Sequence, residues 1–373
     1  VTSFTIKPTL EVDFALPAEF PLRAGGVLRA AKLHYAVYGN INAARDNVVL
    51  VCHALSGSAL VAEWWRDIFS RAGGAGMPGH AGLIDLETQA VLGINILGSC
   101  YGSTGPTSID PATGLPYGVR FPLVQIADTV RAQSLLLDSL GIHRLQLAIG
   151  ASLGGMQTLE WARQFPERIA HAIAIGAAPL GAMGLGLNHM QRQAIQLDPA
   201  WKNGDYAADE GPRRGLALAR ALAVCSYKSP ELFEARFARK PDRSGEDPYL
   251  DEEQTGRFDV AGYLDHQGEK FNQRFDANAY LALTRTMDLW DPARGRASTV
   301  DAWRGVKAKI SLIGISSDWL FPVADVKAMQ QALATAGVAC TYQKLVSEHG
   351  HDAFLAEPQQ LFKLINTQLL IRE

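Results

Sequence analysis

Seven short apolar runs recur along the chain, at residues 32–38, 48–52, 90–97, 145–149, 170–175, 310–315 and 341–346, and several are apolar on both faces. A strand of that kind has no side to give to water, so it belongs in a sheet covered by helices on both faces. Helical patterns lie between the runs. The clearest spans 125–140, where Ile126, Val130, Leu137 and Leu140 share one face and Gly141 stands at the position of a C-terminal cap. Further helices are predicted from Ser152 to a stop at Pro166, after Pro322, and over 353–370. This alternation predicts an α/β architecture with a mostly parallel sheet and helices on both faces.

The alternation stops between about Gly181 and Ser298, where helical patterns and polar loops replace strands. The predicted organisation is therefore a catalytic α/β domain over 1–180 and 299–373, with 181–298 inserted as a helical lid. Open α/β sheets bind ligands at the C-terminal edge of their strands, where such a lid would sit. The charge-rich stretch 240–259 reads as a solvated loop.

Of 373 residues, 47% are hydrophobic and 20% charged, enough apolar material for a sizeable core. A net charge of −3 with both signs scattered argues against nucleic acid or anionic lipid as partner. Cys52, Cys100, Cys225 and Cys340 lie far apart without a C-x-x-C pair, so neither a metal site nor a disulfide framework is signalled. The apolar run 169–187 is interrupted by His171, Pro179 and glycines, which argues against a membrane span. No secretory signal is legible in the first residues, and a cytoplasmic protein is expected.

The run 145–149 leads into Gly150-Ala151-Ser152-Leu153-Gly154, a Gly-x-Ser-x-Gly pentapeptide between a strand and a helix. That context marks Ser152 as a nucleophile on a sharp elbow; the plainer reading is a serine that caps the helix. A serine hydroxyl attacks carbonyls only when a base takes its proton and donors await the oxyanion. In the α/β-hydrolase arrangement of such an elbow the acid and then the base follow the serine. Asp318 lies just beyond the run 310–315, and His351 just beyond 341–346, with His349 as a rival in the same loop. The oxyanion donors are expected to be the backbone N–H groups of Leu153 and of Leu55, in the loop CHALSGSA. His53 in that loop is read as shaping it. The segment NILGSCYGSTGP lacks the Lys-Ser/Thr ending of a phosphate loop, so nucleotide hydrolysis and nicotinamide binding are not expected.

CHALSGSA, NILGSCYGSTGPTSIDP, GASLGGMQTLEWA, SDWLFP and GHDAFL together closely resemble the homoserine O-acetyltransferase family of α/β hydrolases, in order and spacing over nearly the whole chain. The resemblance implies that Ser152, Asp318 and His351 form a triad, and that the protein is a dimer built largely through the lid. It implies transfer of an acyl group from acyl-CoA to the hydroxyl of L-homoserine through an acylated Ser152, a step toward methionine. Acetyl-CoA is then a co-substrate, and no permanently bound cofactor or metal is expected. Arg220 resembles the family's clamp for the acceptor carboxylate and Asp352 its residue for the ammonium, with Tyr227 two helical turns from Arg220 as an aid. The chain departs from the family at Ala151, Leu153 and Lys228, close to the site. Succinyl-using relatives often carry an arginine two residues after the triad aspartate. Leu320 stands there in this chain, which favours an acetyl donor over a succinyl one. Alternatives are a succinyl donor, a serine acceptor, an esterase with water as acceptor, and a non-catalytic binding protein.

Overall fold

The doubly apolar runs become the centre of an eight-stranded sheet in the computed structural model, which describes residues 6–70, 82–207, 209–242, 248–249 and 256–370. The strands are β1 (Leu10–Ala15), β2 (Glu19–Pro21), β3 (Val27–Arg29), β4 (Lys32–Tyr38), β5 (Val48–Cys52), β6 (Ala90–Ile94), β7 (Leu145–Ala151), β8 (Ile169–Ile175), β9 (Lys309–Ile315) and β10 (Cys340–Leu345). Their order across the sheet is β1-β4-β6-β5-β7-β8-β9-β10, while β2 and β3 pair separately. The pairs β1–β4 and β4–β6 are antiparallel and the other pairs of the sheet parallel, as a mostly parallel sheet requires.

The helices are α1 (Val61–Trp64), α2 (Ile126–Ser139), α3 (Leu153–Gln164), α4 (Ala182–Gln196), α5 (Arg213–Tyr227), α6 (Pro230–Arg236), α7 (Asp259–Asn272), α8 (Ala277–Asp288), α9 (Val323–Thr335), α10 (Ala353–Ala356) and α11 (Pro358–Leu370). Side chains of β5 show how the layers form. Val48, Leu50 and Cys52 enter a core shared with α2, α3 and α9, while Val49 and Val51 enter a second core shared with α1 and α11. Each such buried aliphatic side chain contributes about 1.5–3 kcal/mol, so a strand apolar on both faces is held from both sides.

β8 and β9 are parallel neighbours although α4–α8 lie between them in sequence, so those helices are an excursion from the sheet. Most of the charge-rich stretch 240–259 lies outside the described residues; near its ends Pro241 and Phe258 form an isolated bridge. β1, β2, β3 and α1 were not read from the sequence, and the last helix differs from its predicted span. β1 went unread because LEVDFA alternates polar and apolar residues on a largely exposed edge, where charged side chains discourage further pairing. The last helix, expected to run unbroken over 353–370, divides at Glu357 (φ −120°, ψ 53°), because Pro358 disfavours helical geometry in the residue before it.

Candidate active site

The loops after β5, β7, β9 and β10 meet at one edge of the sheet, and each carries a predicted site residue. Ser152 sits between β7 and α3 with φ 56° and ψ −127°, a strained conformation for a residue with a side chain. Its N–H donates to Ile175 O at 2.9 Å, and its side chain makes no capping bond to α3, so the capping explanation of this serine fails. The glycines of the pentapeptide are required by contact. A Cβ on Gly150 would lie 2.4 Å from the carbonyl of Gly154, and one on Gly154 would lie 2.1 Å from Cys52 O.

Asp318 and His351 face each other across β9 and β10. Asp318 Oδ1 accepts from the N–H groups of Leu320 (3.0 Å) and Phe321 (2.9 Å), leaving Oδ2 to bond His351 Nδ1 at 2.7 Å. Serines lace the two loops together: Ser317 Oγ donates to Ser347 O (2.6 Å) and accepts from Gly350 N (3.0 Å). Because the carboxylate takes Nδ1–H, Nε2 is left to act as a base, and that buried atom has no protein partner among the described residues. Burial alone would push His351 down, but the charge and hydrogen bond of Asp318, with the charge of Asp352, hold it above its ordinary value. Phe321 and Tyr227 flank the imidazole at 5.2 and 5.6 Å.

The rival histidines have other attachments. His349 is partly exposed, 3.9 Å from Glu357. His53 is fully buried, accepts from Ile96 N at Nε2 (3.0 Å) and lies 2.8 Å from Ala54 O through Nδ1. Burial pushes it down to about 4, so it stays neutral and braces the loop that carries Leu55.

Ser152 and His351 line a cavity of about 810 Å³ together with Leu55, Arg220, Tyr227 and Asp352. Leu153 is the first residue of α3, where a backbone N–H has no intrahelical acceptor and is free for an oxyanion. The Arg220 guanidinium lies over the rings of Phe271 (5.0 Å) and Tyr227 (5.7 Å) in the cavity wall. Burial raises the Tyr227 hydroxyl, so it remains protonated as a donor. Leu320 is buried and gives its N–H to Asp318.

Two features escaped the sequence reading. Asp352 is ion-paired with Lys228 at 2.7 Å, so this carboxylate is already matched by a cation of the chain. Arg274, from the turn between α7 and α8, also lines the cavity; its Nη1 donates to Ser56 O (2.9 Å), beside Leu55, and to Tyr101 OH (2.7 Å). No local motif announces Arg274, because only the folding of α7 and α8 brings it to the loop. Among the described residues no group of three or more His, Cys, Asp or Glu side chains is placed to hold a metal ion. Nor is any helix among them long and apolar enough to cross a membrane.

A serine elbow sharing a cavity with the histidine of an Asp–His pair, on a sheet of this topology, defines an α/β hydrolase, and the family model described as alpha/beta hydrolase fold matches residues 47–358. The homoserine O-acetyltransferase of Trichormus variabilis is 42% identical over 358 residues, 94% of this chain and 92% of its own. The chain belongs to the homoserine O-acetyltransferase family. Among solved structures, the homoserine O-acetyltransferase from Bacillus anthracis has a TM-score of 0.85 at 25% identity, covering 98% of both chains. Esterase E22 has a TM-score of 0.80 at 26% identity, covering 95% of this chain and 99% of its own.

Proposed function

We propose that the protein transfers the acetyl group of acetyl-CoA to the side-chain hydroxyl of L-homoserine, in methionine biosynthesis in the cytoplasm, with no permanently bound cofactor. The observation that carries this reading is that Arg220 and Asp352, a cation and an anion, line the cavity of Ser152 and His351. An amino acid presents the complementary pair, and an esterase for neutral substrates needs neither. The shared name of relatives such as that of Trichormus variabilis supports the same acceptor.

His351 Nε2 takes the proton from Ser152 Oγ as the oxygen attacks the thioester carbon. The backbone N–H groups of Leu55 and Leu153 hold the oxyanion; the C–S bond then breaks, and the CoA sulfur leaves with the proton from His351. The homoserine hydroxyl next gives its proton to His351 and attacks the acyl carbon, and Ser152 departs reprotonated. Water in place of homoserine would give hydrolysis, the reaction named for esterase E22. The lid formed by 181–298 excludes it. Leu320 is buried beside Asp318 and is not among the residues lining the cavity, so the choice of acetyl over succinyl is supported by the name of the relatives.

The test is thiol release from acetyl-CoA or succinyl-CoA with homoserine, serine or no acceptor. Rapid release is expected only with acetyl-CoA and homoserine together, and is abolished in Ser152→Ala. Fast release without acceptor would establish an esterase instead. Arg220→Ala is expected to impair the homoserine step while acylation of Ser152 persists; equal loss of both steps would remove Arg220 from the acceptor site.

A further inference from the structure

Cys100 and Arg274 belong to the wall of the Ser152 cavity and also to that of a second cavity of the same size, about 810 Å³, between the loop 106–118 and the helices of the excursion. We propose that this second cavity receives the phosphorylated, adenine-bearing end of the acyl-CoA donor, whose thioester arm passes Arg274 to reach Ser152. The inference rests on the acyltransferase reading above and says where the donor lies.

Charge separates the two cavities. Among the described residues around Ser152, Arg220, Lys270 and Arg274 face three carboxylates, Glu11, Glu63 and Asp352, which offers a polyanion no net attraction. The second cavity has Arg120, Lys202, Arg213 and Arg274 against Asp205 and Asp276. Asp276 is turned to its own helix, accepting from Ala279 N (2.8 Å) and Tyr206 OH (2.9 Å). Asp205 is taken by Arg120 at 2.9 Å, and Lys202 is paired with Glu210 at 2.8 Å. Arg213 and Arg274 are in no ion pair among the described residues. Arg213 is also the first residue of α5, whose aligned peptide dipoles add positive potential at that end.

The walls suit the rest of the ligand as well. Leu115 is 60% exposed and lines the cavity with Pro116 and Pro212, an apolar surface for the face of a base. A volume of this size is that of a small-molecule site. Holding the remote polyanion there lets its binding energy serve the reaction at the thioester, which a donor cut short of its phosphates cannot do.

The test compares acetyl-CoA with S-acetylpantetheine, which has the same thioester arm without phosphates or adenine, in wild type, Arg213→Glu and Arg213→Lys. A glutamate in the first turn of α5 suits the helix, and unchanged turnover of S-acetylpantetheine reports an intact fold and triad. Arg213→Glu is expected to raise KM for acetyl-CoA about tenfold or more, the loss of one charge-assisted contact, and to leave S-acetylpantetheine unaffected. Arg213→Lys should recover most of that loss. Adenosine 3′,5′-bisphosphate should compete with acetyl-CoA in wild type and bind Arg213→Glu about tenfold more weakly. Lys202→Glu, a second charge reversal on the same wall, should act in the same direction. Unaltered KM values, or equal loss with both donors, would overturn the assignment while leaving the acyltransferase reading intact. A wild-type protein that turns over neither donor would overturn that reading and this inference together.

Discussion

Asp352 follows His351 directly and acts on it as a charge before it meets any substrate. The His351 imidazole is held above 6.5 because Asp318 and, to a smaller extent, Asp352 outweigh the effect of burial. Protonated His351 cannot accept the Ser152 proton, so activity falls as pH drops through the raised value, and half-activity is expected above pH 6.5. Asp352→Asn removes one of the raising charges and leaves the Lys228 ammonium, now 2.7 Å from Asp352 Oδ2, without its partner. Both changes lower the pKa of His351. The acid limb of Ser152 acylation should therefore move to lower pH. Measuring p-nitrophenyl acetate cleavage without homoserine keeps the proposed acceptor role of Asp352 out of the result. An unmoved limb would mean that Lys228 fully screens Asp352 from the base.

At the scale of elements, the elbow between β7 and α3 depends on space that only glycine leaves. Gly154→Ala would press a methyl group to within 2.1 Å of Cys52 O, backbone that belongs to the neighbouring central strand. Neither side can yield by rotating a bond, so the variant should lose about 3 kcal/mol or more in urea unfolding, with loss of Ser152 reactivity in whatever folds. Wild-type stability in Gly154→Ala would show that the elbow can shift as a unit. The elbow was legible because its contacts are local: strand, pentapeptide and helix are consecutive. The central strands were legible because burial on both faces leaves an uninterrupted apolar run, and Asp318 and His351 because each follows such a run. β1 was not, since an exposed edge strand has no such run. The Lys228–Asp352 pair and the reach of Arg274 to Ser56 join elements far apart in sequence, so no spacing along the chain records them.

The whole molecule turns one apolar face of α4 outward. Gly184, Leu187, Asn188, Gln191 and Ile195 point inward, while Met183, Met190 and Leu197, at the helix C-terminus, are 63%, 47% and 77% exposed. A spacing of seven residues is nearly two turns, so these three side chains form one stripe. Leu218 of α5, the helix packed beside α4, is also exposed. A second copy of the chain is the occupant implied by the family resemblance, and an isologous contact would set each stripe against its partner's. Burying these partly exposed side chains would contribute at most about 1.5–3 kcal/mol each, set against the cost of association, so a charge in the middle of the stripe opposes such a contact. Met190→Asp places that charge mid-stripe without touching the inward face. Sedimentation should then find the wild type dimeric at micromolar concentration and Met190→Asp monomeric, with the isolated fold retained. Because α5 carries Arg220 and packs on α4, release of the stripe should also loosen the proposed acceptor site and raise KM for homoserine more than it lowers kcat. A Met190→Asp protein that remains dimeric would show that the contact lies on another face, and the exposed stripe would then have no part in holding Arg220 in place.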